Sequence, residues 1–144
     1  MISVIVQTLN NERTLSACLA ALVPAAVDAI VTEVIVVDGG SSDATLDIVE
    51  DAGAKRADSV AAAAATAKSD WLLLLPATLR LETGWDAEAA AHVQNQGGRA
   101  ARFRAATWWQ SGVERALLIR RDRFGRALGR IRRLDSRAYA IRPN

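Results

Sequence analysis

Asp38 leads the short set of residues whose type and placement could do chemistry in this chain. Residues 33–43, EVIVVDGGSSD, run four apolar, mostly β-branched residues into an aspartate, two glycines, two serines and a second aspartate. That is the pattern of a buried strand ending in a tight turn that starts a helix. Open α/β sheets bind ligands outside the carboxyl ends of their strands, so Asp38 is the first candidate for a small-molecule site. The common catalytic templates are missing. There is no G-x-x-x-x-G-K-[ST], no G-x-S-x-G and no H-E-x-x-H, and Gly39-Gly40 lacks the third glycine of a dinucleotide fingerprint. His92 is the only histidine, which leaves no material for a Ser-His-Asp triad or a multi-histidine metal site. It sits among alanines in a predicted helix and reads as structural. Cys18, the single cysteine, falls on the apolar face of another predicted helix and reads as a small core residue.

The elements that must position Asp38 follow from hydrophobic period. Residues 2–6 form a short β-branched strand, and QTLNNE follows as a loop in which Asn10 or Asn11 can cap the next helix. Leu15, Cys18, Leu19 and Leu22 recur at helical spacing, and Pro24 is expected to stop that helix near Val23. A second strand covers 34–37. Ser42 or Asp43 can cap a helix carrying Leu46 and Val49, closed by Gly53. The opening β-α-β-α order predicts two parallel strands joined by a helix on one sheet face. AKRAD reads as a short strand, SVAAAAATAK as a helix, and residues 71–75 as an inner strand that Pro76 terminates. Residues 84–96 read as a helix, and AARFRAA alternates as a half-buried strand, antiparallel after the Gly97-Gly98 turn. Residues 116–119 read as a strand, RRDRFGRAL as a helix and 138–141 as a last edge strand.

Length predicts a single domain over 1–144. No apolar run approaches the roughly 20 residues of a membrane span. Met1 leads directly into ISVIV with no basic region or cleavage site, so no signal peptide is expected and the expected location is cytoplasmic. The formal charge of +2 hides an asymmetry. Residues 115–144 hold ten arginines against Asp122 and Asp135, whereas residues 1–114 hold eight basic and fourteen acidic groups. Either the tail folds back on the acidic body, or it offers a surface to anionic lipid headgroups, phosphorylated substrates or nucleic acid.

The segments ISVIVQTLNNERTL, EVIVVDGGSSDATLDIVEDAGA and SDWLLLLPATLRLETGW resemble, in order and spacing, the family 2 glycosyltransferases over roughly residues 1–90. The resemblance implies a GT-A, nucleotide-diphospho-sugar transferase-like fold. Its class is α/β: a mostly parallel, Rossmann-like central sheet flanked by helices, abbreviated in the C-terminal half. Residues 1–90 would be the nucleotide-binding half and 91–144 a shortened acceptor half with a basic tail. In this family the loop after the first strand and the aspartate after the second hold the base and ribose of a sugar nucleotide. Those roles map onto Thr8, Asn10 and Glu12, onto Asp38, and more weakly onto Ser41 and Asp43. A strand-end carboxylate can accept hydrogen bonds from a uracil imide or a ribose hydroxyl. Asp43 has the alternative of simply capping its helix, and Glu12 of beginning one.

The chain departs from the family at two places. The family ends its next inner strand with an acidic D-x-D-like motif that holds Mg²⁺ or Mn²⁺ against the diphosphate. Here that stretch is Pro76-Ala77-Thr78, so no metal ligands are found and no cofactor is expected. Glu82 is a distant substitute, and Asp86 more naturally occupies the first turn of a helix. Inverting members also place a general base in a Glu-Asp pair ahead of a helix. ERALLIRRDRFGRALGRIRRL resembles the flanking segments without that pair, as if a piece were lost between Gly129 and Arg132. Glu114, Asp122 and Asp135 are what remain. The expected function is transfer of a sugar from a nucleotide-diphosphate donor to an acceptor hydroxyl, with arginines stabilising the leaving group in place of metal. The alternative is a non-catalytic nucleotide-binding or interaction domain that kept the fold. Expected partners are a nucleotide-diphospho-sugar and, through the arginines, an anionic lipid or phosphorylated acceptor at the inner membrane face. A homodimer through Phe103, Trp108 and Trp109 competes with their burial in the core. Nucleic acid ranks last, because no aromatic-interleaved motif accompanies the arginines.

Overall fold

Strand β1, Ile2–Thr8, is the axis of the fold. A computed structural model of the chain describes residues 1–95, 97–105, 116–126 and 131–141. β1 pairs in parallel with β2, Val31–Asp38, on one side and with β4, Trp71–Pro76, on the other. β3, Lys55–Ala57, continues the parallel order beyond β2. Side chains alternate faces along a strand, so β1 feeds two layers of core. Ile2, Val4 and Val6 meet Leu15, Cys18, Leu22 and Ala25 on one face, while Ile5 meets Ile35, Leu72, Ala63 and Ala64 on the other.

The helices between these strands are short. α1 spans Leu15–Ala20 and α2 spans Val23–Val27. Pro24 lies in the first turn of α2, where its missing N–H goes unneeded; it starts a helix as well as following one, contrary to its expected role as a stop. α3 is Thr45–Asp51, and α4 is Val60–Thr66, whose N-cap Ser59 accepts from the Ala62 amide at 3.0 Å. α4 packs alanines on the second face, where small side chains let it lie close to the sheet.

The C-terminal half turns the sheet antiparallel and then mixed. β7, Leu117–Arg120, pairs antiparallel with β4, and β6, Ala101–Ala105, pairs antiparallel with β7 and parallel with β8, Arg132–Ala140. β5, Leu79–Leu81, had no counterpart in the sequence reading; it closes the far edge against β8. The eight described strands run β3-β2-β1-β4-β7-β6-β8-β5. Of residues 138–141, expected as an edge strand, 138–140 are thus the end of a nine-residue strand with a neighbour on each side. α5, Trp85–Asn95, lies over the C-terminal half, its Trp85 edge-on to Phe103 at 6.1 Å and bonded through Nε1 to the Ala21 carbonyl. The helix expected over RRDRFGRAL is, in its described part, a single 3₁₀ turn at Arg121–Arg123.

A buried carboxylate that the sequence reading passed over joins the strands. Glu33, 9% exposed, accepts from Ser3 Oγ, the Lys68 amide and Lys55 Nζ at 2.6–2.8 Å. Burial opposes its charge, but these donors outweigh burial and hold its pKa below the ordinary value.

Candidate functional site

Two loops meet at the carboxyl ends of β1 and β2. β1 delivers Thr8, whose carbonyl accepts from the Gly39 amide at 2.9 Å, so the loops begin in register. The β2 loop is organised by Asp38. Its Oδ2 accepts from the Gly40 and Ser41 amides at 3.0 and 2.8 Å, and its Oδ1 from Ser41 Oγ at 2.5 Å. Partial burial would raise the Asp38 pKa, yet the Ser41 and Gly40 donors and the nearby Arg56 hold it below its ordinary value. The side chain is therefore an acceptor-only carboxylate at neutral pH. Of the two glycines only Gly40 is conformationally required, at φ +103°, whereas a methyl group on Gly39 would meet Leu9 Cδ1 at an ordinary 3.5 Å.

The loops are then fastened to each other by side chains. The Asn10 amide donates to Ser41 Oγ at 2.8 Å, and Asn10 Oδ1 accepts from the Ser42 amide at 2.8 Å. Asn10 makes this exchange from a left-handed conformation, φ 52°, which asparagine tolerates better than most residues. Glu12 N–H donates to Asp43 Oδ2 at 3.3 Å, while Glu12 Oε2 accepts from the Ala44 amide at 3.2 Å. Asp43 Oδ1 also accepts from the Thr45 amide at 3.0 Å and from the Thr45 hydroxyl, which holds its pKa low despite the opposing effect of burial. The N-cap of α3 is Ala44, without a side-chain cap, rather than the expected Ser42 or Asp43; Asp43 instead braces the turn before the helix and clasps the opposite loop. The six candidates Thr8, Asn10, Glu12, Asp38, Ser41 and Asp43 come together in this lattice.

The open space lies beside the lattice. A cleft of about 390 Å³ at the ends of β1, β2 and β4 is lined by Thr8, Asn11, Val37, Gly39, Val60 and Thr78, among others. Thr8 alone of the six candidates lines it; the other five are not among its lining residues. Two residues that sequence reasoning did not place in the site belong to it. Asn11 was read only as a cap, but its Oδ1 accepts from Thr8 Oγ1 and the Leu9 amide, both at 2.9 Å. Thr45, fully buried, accepts from the Asn11 amide at 3.0 Å. Their partners lie on the other loop or a turn away, a relation that residue spacing does not display.

At the end of β4 the chain turns immediately into β5. The Ala77 amide donates to the Gln7 carbonyl at 2.9 Å, and the Thr78 carbonyl accepts from the Ile141 amide at 2.8 Å. Glu82 faces away from the cleft toward β8, its Oε2 accepting from the Arg137 amide at 2.8 Å. No three potential metal-ligating side chains cluster among the described residues. The groups at the β4 end, a Thr78 carbonyl committed to the Ile141 amide and a threonine hydroxyl among them, include none of the charged oxygen ligands that a divalent cation favours.

The remaining candidates resolve simply. Cys18 is buried, and burial pushes its thiol pKa up to about 12. His92 is buried, edge-on to Trp71 at 5.7 Å, with Nε2 2.5 Å from the Arg99 carbonyl. Phe103 is buried against Trp85, which removes it from any surface patch. Trp108, Trp109 and Glu114 lie outside the described residues. Asp122 pairs with Arg120 at 3.0 Å, and Arg121 reaches Asp70 at 3.6 Å, the one described ion pair between the arginine-rich tail and the acidic body.

Residues 3–100 match the family model described as glycosyl transferase family 2. No curated protein matches the chain. Among solved structures, the fold is similar to glucosyl-3-phosphoglycerate synthase from Mycobacterium tuberculosis in complex with Mn²⁺, uridine diphosphate and phosphoglyceric acid. That match has a TM-score of 0.70 at 17% identity and covers 85% of this chain and 56% of that one. It is also similar to S. aureus TarS 1–349 in complex with UDP, with a TM-score of 0.60 at 23% identity over 74% of this chain and 36% of that one. The chain thus spans little more than half the length of the first of these structures and about a third of the second. At such identities the likeness is one of fold, the GT-A α/β architecture.

Proposed function

The chain belongs to glycosyl transferase family 2, and from that premise we propose that its strand-end cleft receives the nucleoside part of a nucleotide-diphospho-sugar donor. The reaction of this reading is transfer of the sugar to an acceptor hydroxyl, with residues 1–90 holding the donor and residues 91–144 facing the acceptor. The observation that carries it is the cleft itself. Its volume suits a small ligand, and Val37, Gly39, Thr8 and Asn11 are among the residues that line it. Asp38, next in sequence to the lining residues Val37 and Gly39, has about four lone-pair positions, and hydrogen bonds occupy three of them. The remaining capacity suits one donor, such as a uracil imide or a ribose hydroxyl. The UDP and UDP-GlcNAc bound in the similar S. aureus TarS structures favour a uridine nucleotide.

One observation favours a second reading, nucleotide binding without transfer: the described lining of the cleft contains no carboxylate. Mn²⁺ accompanies UDP in the synthase, but the β4 end of this chain offers no matching ligand set, and the reading here runs through no metal. The arginine excess of residues 115–144 suits an anionic acceptor or the anionic surface of the inner membrane face. No helix among the described residues is long and apolar enough to cross a membrane.

Calorimetric titration with UDP-glucose and GDP-mannose, each with Mn²⁺ and with a chelator, tests the proposal. The expected result is binding of the uridine donor that persists with the chelator present. Absence of heat from either donor in both conditions would overturn it.

A further inference from the structure

The second face of the sheet changes character along its width. Over β1, β2, β4 and β7 it is apolar and covered by α4, which packs on Ile5, Ile35, Leu72 and Ile119. Beyond β7 it becomes basic. β6 and β8 run parallel with Arg102 opposite Arg133 and Arg104 opposite Arg137. Residues in register on parallel strands project to one face, and Phe103, Leu134 and Ala138 fill the buried opposite face. Strands lie about 4.8 Å apart, and like charges directly opposite each other on a sheet repel. None of the described ion pairs engages these four arginines.

At the start of β8 this row opens into a cavity of about 190 Å³ lined by Arg102, Phe103, Ile131, Arg132 and Arg133. Arg102 Nε is buried there and meets no hydrogen-bond acceptor among the described residues. Glu88 feels the charge of Arg132, and its two oxygens accept the Asp135 and Ser136 amides. Asp135, between Arg133 and Arg137 in sequence, is exposed. The cavity therefore presents guanidinium donors in excess over the carboxylates that could satisfy them. Guanidinium forks match phosphate oxygens in pairs, and Nε is one of the donors in that geometry.

We propose that this cavity binds a phosphoryl group, carried either by a soluble phosphorylated acceptor or by an anionic lipid headgroup, with Arg102 and Arg133 as its principal donors. The proposal rests on the anionic-acceptor reading above and gives it a place, on the sheet face remote in sequence from Asp38.

The test measures binding of inorganic phosphate by calorimetry and binding to vesicles of phosphatidylglycerol or of phosphatidylcholine by sedimentation, in the full chain. Wild type is expected to bind phosphate, and R102Q/R133Q to bind it on the order of tenfold more weakly, as loss of a bidentate charged contact implies. The single substitution Arg133→Gln, at an exposed position, gives an intermediate loss without touching the buried Nε. Arg121→Gln, which removes the same charge at the Asp70 pair, leaves phosphate binding unchanged. Preference for phosphatidylglycerol over phosphatidylcholine that R102Q/R133Q abolishes identifies a headgroup as the source, and phosphate binding without vesicle preference identifies a soluble ligand. Equal phosphate binding by wild type, R102Q/R133Q and Arg133→Gln overturns the proposal. UDP titration of the same variants separates the two readings, since an intact UDP response with no phosphate response refutes this site alone.

Discussion

Asp38 holds its own turn with three hydrogen bonds before it meets any ligand, so its substitution acts on the loop and on binding together. Asp38→Ala is expected to cost about 1–2 kcal/mol of stability, the scale of hydrogen bonds to a charged group, and to weaken UDP binding by on the order of tenfold. Gly39→Ala is expected to leave both nearly unchanged; thermal unfolding and calorimetry check the contrast. His92 sets the pH response. Burial, with Arg132 and Arg99 nearby, moves its pKa below the ordinary 6.5 despite the Arg99 carbonyl and Glu88. The unfolded chain therefore binds this proton first, and stability falls as pH drops below about 6.5 toward the lower native value. Glu33, Glu88 and Asp38 also have lowered native pKa values, so a second loss begins near pH 4.5, the ordinary glutamate value, and deepens toward the native ones. Denaturation midpoints across pH should show two stages, and His92→Gln should remove the upper one. At this scale Asp38 was legible because a β-branched run entering D-G-G is a local signal. Thr45 was not, since its partner Asn11 lies 34 positions away.

Strands and helices were legible where one period held over several turns or pleats. The parallel trio β1, β2 and β4 came from apolar runs, and α4 from its alanines behind Ser59. β5 has three residues, too few to show alternation, and exists because β8 offers it an edge. β8 itself hid behind Arg133, Asp135 and Arg137, charges on the outward side of the strand, and behind Arg132, which begins the face that Leu134 and Ala138 continue inward. Glu88 fixes that strand to α5 by accepting two of its amides. Glu88→Ala is expected to destabilise by about 1–2 kcal/mol, the scale of hydrogen bonds from part-exposed amides to a charged acceptor, and to raise hydrogen exchange at Asp135 and Ser136 first. Uniform protection loss across the chain would contradict that assignment.

As a whole, the molecule joins a parallel N-terminal half to a mixed C-terminal half through the β4–β7 pair. The family resemblance located the first half and its candidate residues, but spacing alone did not reveal that five of the six would fasten loops while one lines the cleft. The cross-loop lattice braces the β1 and β2 loops against each other before any ligand is present. The central claim is that the nucleotide sits in this cleft, and backbone amide NMR during titration with UDP tests it most directly. The largest shifts are expected on residues 7–12, 37–45 and 77–78, with those of β6 and β8 little changed. Saturable UDP shifts confined to β6 and β8, with the strand-end loops unmoved, would contradict it.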